Sequence, residues 1–270
     1  MSASDKLFAG SIPKLYDEYL VPLIFSGFAE DLASRVAALS PDAVLETAAG
    51  TGVVTRALAA KLPANARYVV TDLNRPMLVH AAQRQGEDHR ITWQQADALA
   101  LPFPDAQFDV VCCQFGAMFF PDRVKGFAEA SRVLKAGGTF VFNTWDSIDE
   151  NVFANEVTTA LAELFPDDPP RFLARTPHGY HDVGLIEDEL RSAGFSSVAI
   201  EMRSEVSRAP SPQHPAVAYC QGTPLRNEIE ARGSDRIEAV TDHAAAAIAR
   251  IHGTGDVAGK IQGYVVVAAK

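Results

Sequence analysis

The 270 residues are 47% hydrophobic and 21% charged, enough apolar mass for one large core near the upper limit of a single compact domain. A formal charge of -10 repels phosphate polyanions and anionic headgroups, which argues against nucleic acid and membrane surfaces as partners. No apolar run approaches the roughly 20 residues of a spanning helix, Met1–Lys6 lacks a charged-then-apolar signal pattern, and three cysteines cannot all pair. A cytoplasmic chain with core thiols is expected.

Phe28, Leu32, Val36 and Leu39 recur at helical spacing through Phe25–Leu39, and Ser40-Pro41-Asp42 breaks that helix. From residue 43 short β-rich runs alternate with helical ones: strand Ala43–Thr47, helix Val53–Lys61, strand Tyr68–Asp72, then a helix opened by Asn74 and Pro76. Such alternation predicts right-handed βαβ units and a parallel sheet. Ile91–Ala96 and Phe108–Gln114 read as further strands, and Asp122 caps a helix ending at Leu134-Lys135-Ala136-Gly137-Gly138, with Thr139–Trp145 next as a strand. Beyond it the spacing predicts a helix over Asn151–Leu164, a Pro-rich loop Pro166–Pro177, a helix Asp182–Ala193 and a strand near Val198–Val206. A loop Ala209–Pro215, helical material over Pro224–Ile251 interrupted by Gly233, and a strongly apolar strand Gln262–Ala269 complete seven predicted strands.

The first strand runs directly into Glu46-Thr47-Ala48-Ala49-Gly50-Thr51-Gly52 before a helix, and small residues there let a ligand approach the backbone. Tight strand-to-helix turns favour glycine for steric reasons as well, so the loop alone leaves function and structure open. Asp72 ends the next strand, where a carboxylate beside that loop could accept from two ribose hydroxyls; Asn74 suits the following helix cap better, which leaves Asp72 free. Ala96, Asp97 and Ala98 close the third strand at the same carboxyl edge, where they could meet an adenine edge or simply form a turn.

Together, Glu46–Gly52, Asp72, Ala96-Asp97-Ala98, Leu101-Pro102-Phe103-Pro104-Asp105, Phe108-Asp109-Val110-Val111 and Val133-Leu134-Lys135-Ala136-Gly137-Gly138 resemble a class I S-adenosylmethionine-dependent methyltransferase. Within that superfamily the chain is similar to the small-molecule methyltransferases of the ubiquinone/menaquinone-biosynthesis-like group, most specifically over about residues 40–146. The resemblance implies an α/β, doubly wound, seven-stranded, mostly parallel Rossmann-like sheet whose last strand, Gln262–Ala269, is antiparallel. It implies one domain, with residues 1–40 a helical lid, 41–146 the cofactor-binding core and 147–270 substrate-cap insertions and C-terminal strands. It further implies that Glu46, Thr47, Ala48, Gly50 and Gly52 hold the methionine portion of S-adenosylmethionine, Asp72 the ribose, and that Leu73 and Met77 flank the ligand. Ala96, Asp97 and Ala98 would meet adenine, Gln114 and Phe115 the amino-acid end, and Tyr16 would sit in the lid. Ala48 departs from the family's glycine and narrows the space for the ligand.

Methyl transfer from a sulfonium is an in-line displacement that rests on alignment and exclusion of water, so no dedicated catalytic residue is required. Where the acceptor must lose a proton, His178, His181 and Asp146 are the candidate bases. His178, His181 and Asp182 also form a short cluster, but with no partner elsewhere in the chain no metal is expected. Phe119, Phe120, Trp145, Tyr16 and Tyr19 could wall the pocket, although core packing explains Phe119, Phe120 and Trp145 equally well. Arg175, His178, Tyr219 and Arg226 fall in the segments 166–181 and 210–226, which read as long loops where substrate caps are inserted. The competing functions are an NAD-dependent Rossmann oxidoreductase, disfavoured because Val53-Val54-Thr55 stands where its third glycine belongs, and a non-catalytic S-adenosylmethionine-binding protein.

Overall fold

Ala43–Glu46 (β1) is buried at every position, as a central strand covered on both faces must be. In the computed structural model, which describes residues 12–233 and 236–270, β1 is flanked by Arg67–Asp72 (β2) and Phe108–Gln114 (β4), both parallel to it. Ile91–Gln95 (β3) adds in parallel to β2, and Leu134–Trp145 (β5) in parallel to β4. With Ser197–Ala209 (β6) and Val257–Ala269 (β7), the seven-stranded sheet has the order β3-β2-β1-β4-β5-β7-β6. β7 runs antiparallel to β5, with Thr139 opposite Ala269 and Trp145 opposite Gly263. The first strand is central and the chain winds outward from it on both sides, so the order reverses between β1 and β4. Ligands of doubly wound sheets bind outside the carboxyl ends of the strands at such a reversal.

The described residues divide into two compact units. The first comprises Gly27–Trp145, Tyr180–Arg203 and Gly263–Lys270. Its sheet is covered on one face by Ser26–Ala38 (α2) and Val53–Ala59 (α3), whose Leu32, Val36, Val54 and Leu58 share a core with Val44, Tyr68, Val70, Val110 and Val141. On the other face Phe127 of Arg123–Val133 (α5) packs against Phe140 and Phe142, with ring centroids 5.8 and 5.4 Å away, because alternate β5 residues point to opposite faces. Asp122 caps α5 through Lys125 N, and Asp182 caps Val183–Ser192 (α8) through Gly184 N and Leu185 N.

The second unit comprises the chain up to Ser26, Asp146–Gly179 and Ser204–Gln262. Its helices Val152–Leu164 (α6), Gln213–Gly222 (α9) and Ile237–His252 (α11) pack pairwise. The chain enters it through Ile12–Leu15 (α1) and a π-helix, Tyr16–Phe25, that contains Pro22. Proline lacks the amide that an α-helical turn needs, and the Ser26 amide bonds back five residues to Val21 O, the wider turn.

Three sequence expectations need correction. β5 begins at Leu134 rather than Thr139: Phe108 pairs with Leu134 and Val110 with Thr139, so the intervening residues bulge out with Gly137 at φ +75°. The segment 210–226 is not a loop, because α9 spans Gln213–Gly222 and Leu225–Ala231 (α10) follows almost at once. Pro212, Pro215 and Pro224 sit at or just inside helix starts, where proline costs no hydrogen bond. The 166–181 segment likewise contains the short helix Phe172–Arg175 (α7) and a 3-10 turn, Pro177–Gly179. Met1–Lys6 and the start of the expected 1–40 lid lie outside the described residues.

Asp109 ties the strand origins together, its Oδ2 accepting from Ala43 N at 2.8 Å and Asp42 N at 3.1 Å, and its Oδ1 from Lys135 Nζ at 2.6 Å. Asp109→Ala leaves two amides at the root of β1 without that partner and is expected to destabilise the protein by about 1–3 kcal/mol in urea denaturation. Lys135→Ala, which breaks only the half-exposed ion pair, is expected to cost less than about 1 kcal/mol.

Candidate functional site

The loop after β1 is shaped by backbone that side chains rarely tolerate. Ala48, Gly50 and Gly52 have φ of +52°, +57° and +77°. A Cβ on Gly50 would meet nothing within 4 Å, so this glycine serves the turn and leaves open space above it. Gly52 is different: a Cβ there would lie 2.9 Å from Ala81 Cβ, so its absence lets α3 pack closely on Arg75–Gln85 (α4). Thr51 Oγ1 is buried and, among the described residues, has no hydrogen-bond partner.

Ala48 is accommodated by a second absence. A Cβ on Gly116 would fall 2.5 Å from Ala48 Cβ and 2.8 Å from Cys113 Sγ, so the bare Gly116 makes room for the alanine methyl.

Asp72, buried at the end of β2, faces this loop. Its Oδ2 accepts from Gly50 N at 2.8 Å and its Oδ1 from Asn74 N at 2.6 Å. The expectation of an uncommitted Asp72 is therefore corrected: Asn74 makes no side-chain cap, and Asp72 itself secures the start of α4. A carboxylate has about four acceptor sites, so these two amides and the Asn74 side chain leave capacity for a ligand's hydroxyl. Burial raises the Asp72 pKa, against the opposing pull of the Asn74 and Gly50 amides.

Glu46 turns inward. Its Oε2 accepts from Thr55 Oγ1 at 2.7 Å and from the Tyr68 hydroxyl. Burial pushes its carboxyl up to about 7, although both hydroxyls favour the ionised form, and burial together with the Glu46 charge raises Tyr68. Neither Thr55 nor Tyr68 was singled out from the sequence. No sequence signal marks them: the parallel register that sets Tyr68 beside Val44 brings Tyr68 to Glu46.

Thr47 N bonds to Cys112 O at 2.9 Å, which holds the loop's root against β4. Met77 is buried and Leu73 is exposed, its carbonyl accepting from Gln95 Nε2 at 2.8 Å. Ala96 is tied to β2 through its amide and Asp72 O at 3.1 Å, whereas Asp97 closes a turn over Ala98 by accepting from Leu99 N at 2.9 Å. Gln114 ends β4, and Phe115 follows at φ +50° with its ring stacked on Trp145 at 3.7 Å. Phe119 lies in the 3-10 turn Ala117–Phe119.

The first unit thus holds Glu46 through Phe119 and Trp145, while Tyr16, Arg175, His178 and Tyr219 belong to the second. There Tyr16 stacks on Phe25 at 5.1 Å, Arg175 is ion-paired with Glu228 at 2.8 Å, and Tyr219 is buried in α9. Buried His178 donates from Nδ1 to Asp146 O at 2.9 Å, which places the neutral ring's lone pair on Nε2. The Asp146 carboxylate is held by Gln262 Nε2 at 2.7 Å and Ser147 N at 2.7 Å. His181 is exposed and belongs to the first unit.

The sheet order and glycine loop define a Rossmann-like, nucleotide-type α/β fold, and comparison with known proteins specifies the class. A methyltransferase domain family matches residues 45–142. The chain is 37% identical over 142 residues to a demethylmenaquinone methyltransferase of Deinococcus radiodurans, covering 52% of this chain and 58% of that protein. It is 31% identical over 172 residues to the demethylmenaquinone methyltransferase of Clavibacter sepedonicus, covering 60% and 69%. Its fold resembles that of Haemonchus contortus phosphoethanolamine N-methyltransferase 2, solved in complex with S-adenosyl-L-methionine, with a TM-score of 0.62 at 17% identity, covering 100% of this chain and 60% of that one. The chain belongs to the class I S-adenosylmethionine-dependent methyltransferases, in the group that includes the quinone-biosynthesis C-methyltransferases.

Because the Glu46 carboxyl is raised to about 7 in the fold, the native state keeps a proton that the unfolded chain releases near 4.5, the ordinary glutamate value. Its contribution to stability is present at low pH and is lost as pH rises through that window, by at most about 1.4 kcal/mol per pH unit. Urea denaturation of wild type is expected to lose this increment between acidic and neutral pH, and Glu46→Gln is expected to flatten the dependence; equal slopes in both proteins would refute it.

Proposed function

We propose that this chain transfers the methyl group of S-adenosylmethionine to a small-molecule acceptor, and that the acceptor is an aromatic of the quinol type. The acid-and-loop pair at the reversal of the sheet carries the proposal: Asp72 sits across from a loop whose Gly50 leaves open space, while bonding that loop directly. Asp72 has acceptor capacity for a ribose hydroxyl, and Thr51 has a buried hydroxyl that suits a polar ligand. Glu46, Thr47, Ala48, Gly50 and Gly52 would hold the methionine end, Leu73 and Met77 the flanks, Ala96–Ala98 the adenine, and Gln114 and Phe115 the amino-acid end. Tyr16 would cover the cofactor. The names of the two demethylmenaquinone methyltransferases supply the acceptor class.

The bound cofactor supplies an activated methyl on sulfur with a neutral thioether as leaving group. The chain's own part is to orient the acceptor and keep water out, so rate comes from alignment. Phe119, Trp145, Arg175, His178 and Tyr219 are the proposed acceptor-side residues. Where the acceptor must lose a proton, His178 is the better base, because its Nδ1 bond directs the lone pair to Nε2. Among the described residues no helix is long and apolar enough to cross a membrane. Cys112, Cys113 and Cys220 are buried thiols, which supports a reducing, cytoplasmic setting.

Calorimetric titration tests this: S-adenosylmethionine and S-adenosylhomocysteine are expected to bind, and NAD is not. Asp72→Ala is expected to weaken S-adenosylhomocysteine binding by about 1–3 kcal/mol, roughly 5- to 150-fold, with far-UV dichroism retained. Tight NAD binding with no response to the other two, or full affinity in a folded Asp72 variant, would overturn the proposal.

A further inference from the structure

We propose that Asn143 recognises the methyl acceptor and that the group it reads is a hydroxyl or carbonyl oxygen; this rests on the methyl transfer proposed above. Asn143 lies on β5 and is wholly buried, yet among the described residues neither its Nδ2 nor its Oδ1 has a hydrogen-bond partner. A primary amide can donate two hydrogen bonds and accept two, and native proteins rarely bury one with none of them made.

Its place in the sheet indicates what the amide is for. Gln114 pairs with Asn143 at the carboxyl edge, and Glu46, the last residue of β1, pairs with Cys112 two residues before Gln114. β1 runs into the loop assigned to the cofactor, and β5, which carries Asn143, lies two strands away, on the order of 9–10 Å. That span suits a small acceptor laid beside the cofactor's reacting end.

The surroundings fit a flat molecule. Strand alternation puts Asn143 on the face that carries Val141 and Trp145. Trp145 stacks on Phe115 at 3.7 Å, and Phe28 meets both rings edge-on at 5.2 Å. Phe115 is held at φ +50°, a backbone region that an aromatic residue seldom occupies, and its amide is fastened to Asn143 O at 3.2 Å. An uncommitted amide and a strained aromatic neighbour therefore coincide at one position. Swinging the Phe115 ring aside would admit an aromatic acceptor whose oxygen completes the amide's hydrogen bonds.

The test compares wild type with Asn143→Leu, of similar volume but apolar, and with Asn143→Ser, which keeps a smaller hydrogen-bonding group. Three quantities are measured: the thermal midpoint, S-adenosylhomocysteine affinity by calorimetry, and binding of 1,4-naphthohydroquinone to the S-adenosylhomocysteine-saturated protein by tryptophan fluorescence under anaerobic conditions. Asn143→Leu is expected to melt about 2–4 °C higher, since it removes an unpaired buried amide. Its S-adenosylhomocysteine affinity should be unchanged and its naphthohydroquinone affinity at least about tenfold weaker, with Asn143→Ser about fivefold weaker. A lower midpoint for Asn143→Leu would show that the amide serves the fold, and undiminished naphthohydroquinone binding in either variant would also overturn the inference; should the leucine variant not fold, the serine variant decides. Wild type that binds S-adenosylhomocysteine but ignores naphthohydroquinone overturns this inference and the acceptor assignment while leaving the cofactor assignment standing, whereas wild type that does not bind S-adenosylhomocysteine refutes the methyltransferase function itself.

Discussion

The site depends on one carboxylate held out of water between two backbone amides. Asp72 accepts from Gly50 N and Asn74 N, so a single side chain sets the loop after β1 relative to the start of α4. Burial opposes its charge, and the two amides offset part of that penalty. Because the bonds come from backbone, the arrangement survives only if β1 and β2 keep their parallel register and Gly50 keeps its left-handed turn. Loop, acid and helix start thus form one rigid element, the preorganisation a cofactor site requires.

Space in this region is set by missing side chains. Gly52 lets α3 approach α4, and Gly116 receives the methyl of Ala48. The departure from the family's glycine at position 48 therefore costs the ligand less room than the alanine alone suggests. The methyl is absorbed on the β4 side, where its neighbours are Gly116 and Cys113. Glu46 plays a supporting part that its place in the motif does not announce, since Tyr68 and Thr55 draw its carboxylate into the core beneath the loop.

The second unit carries residues expected to serve the acceptor, and it is helical where loops were expected. α9 and α10 each begin at a proline, so the residues that look like breakers in the sequence are helix starters in the fold. Tyr219 is consequently a buried helix residue, and Arg175 is engaged with Glu228. His178 and the Asp146 backbone lie in one buried polar network with nearby Asn151 and with Gln262, which comes from a distant part of the chain.

Local chemistry in the sequence determined the alternating elements, the glycine loop, the acid at the end of β2 and the apolar final strand, because period-two and period-3.6 patterns and turn residues act over a few positions, whereas the antiparallel direction of that strand was implied by the family resemblance. Tertiary structure alone decided how those residues are used. That Asp72 is bonded to backbone, that Glu46 faces Tyr68 at a separation of 22 residues, that Gly116 makes room for Ala48, and that Asn143 is buried without a partner all depend on register between strands far apart in the chain. Register is fixed by burying whole faces together, so no short window of sequence can state it.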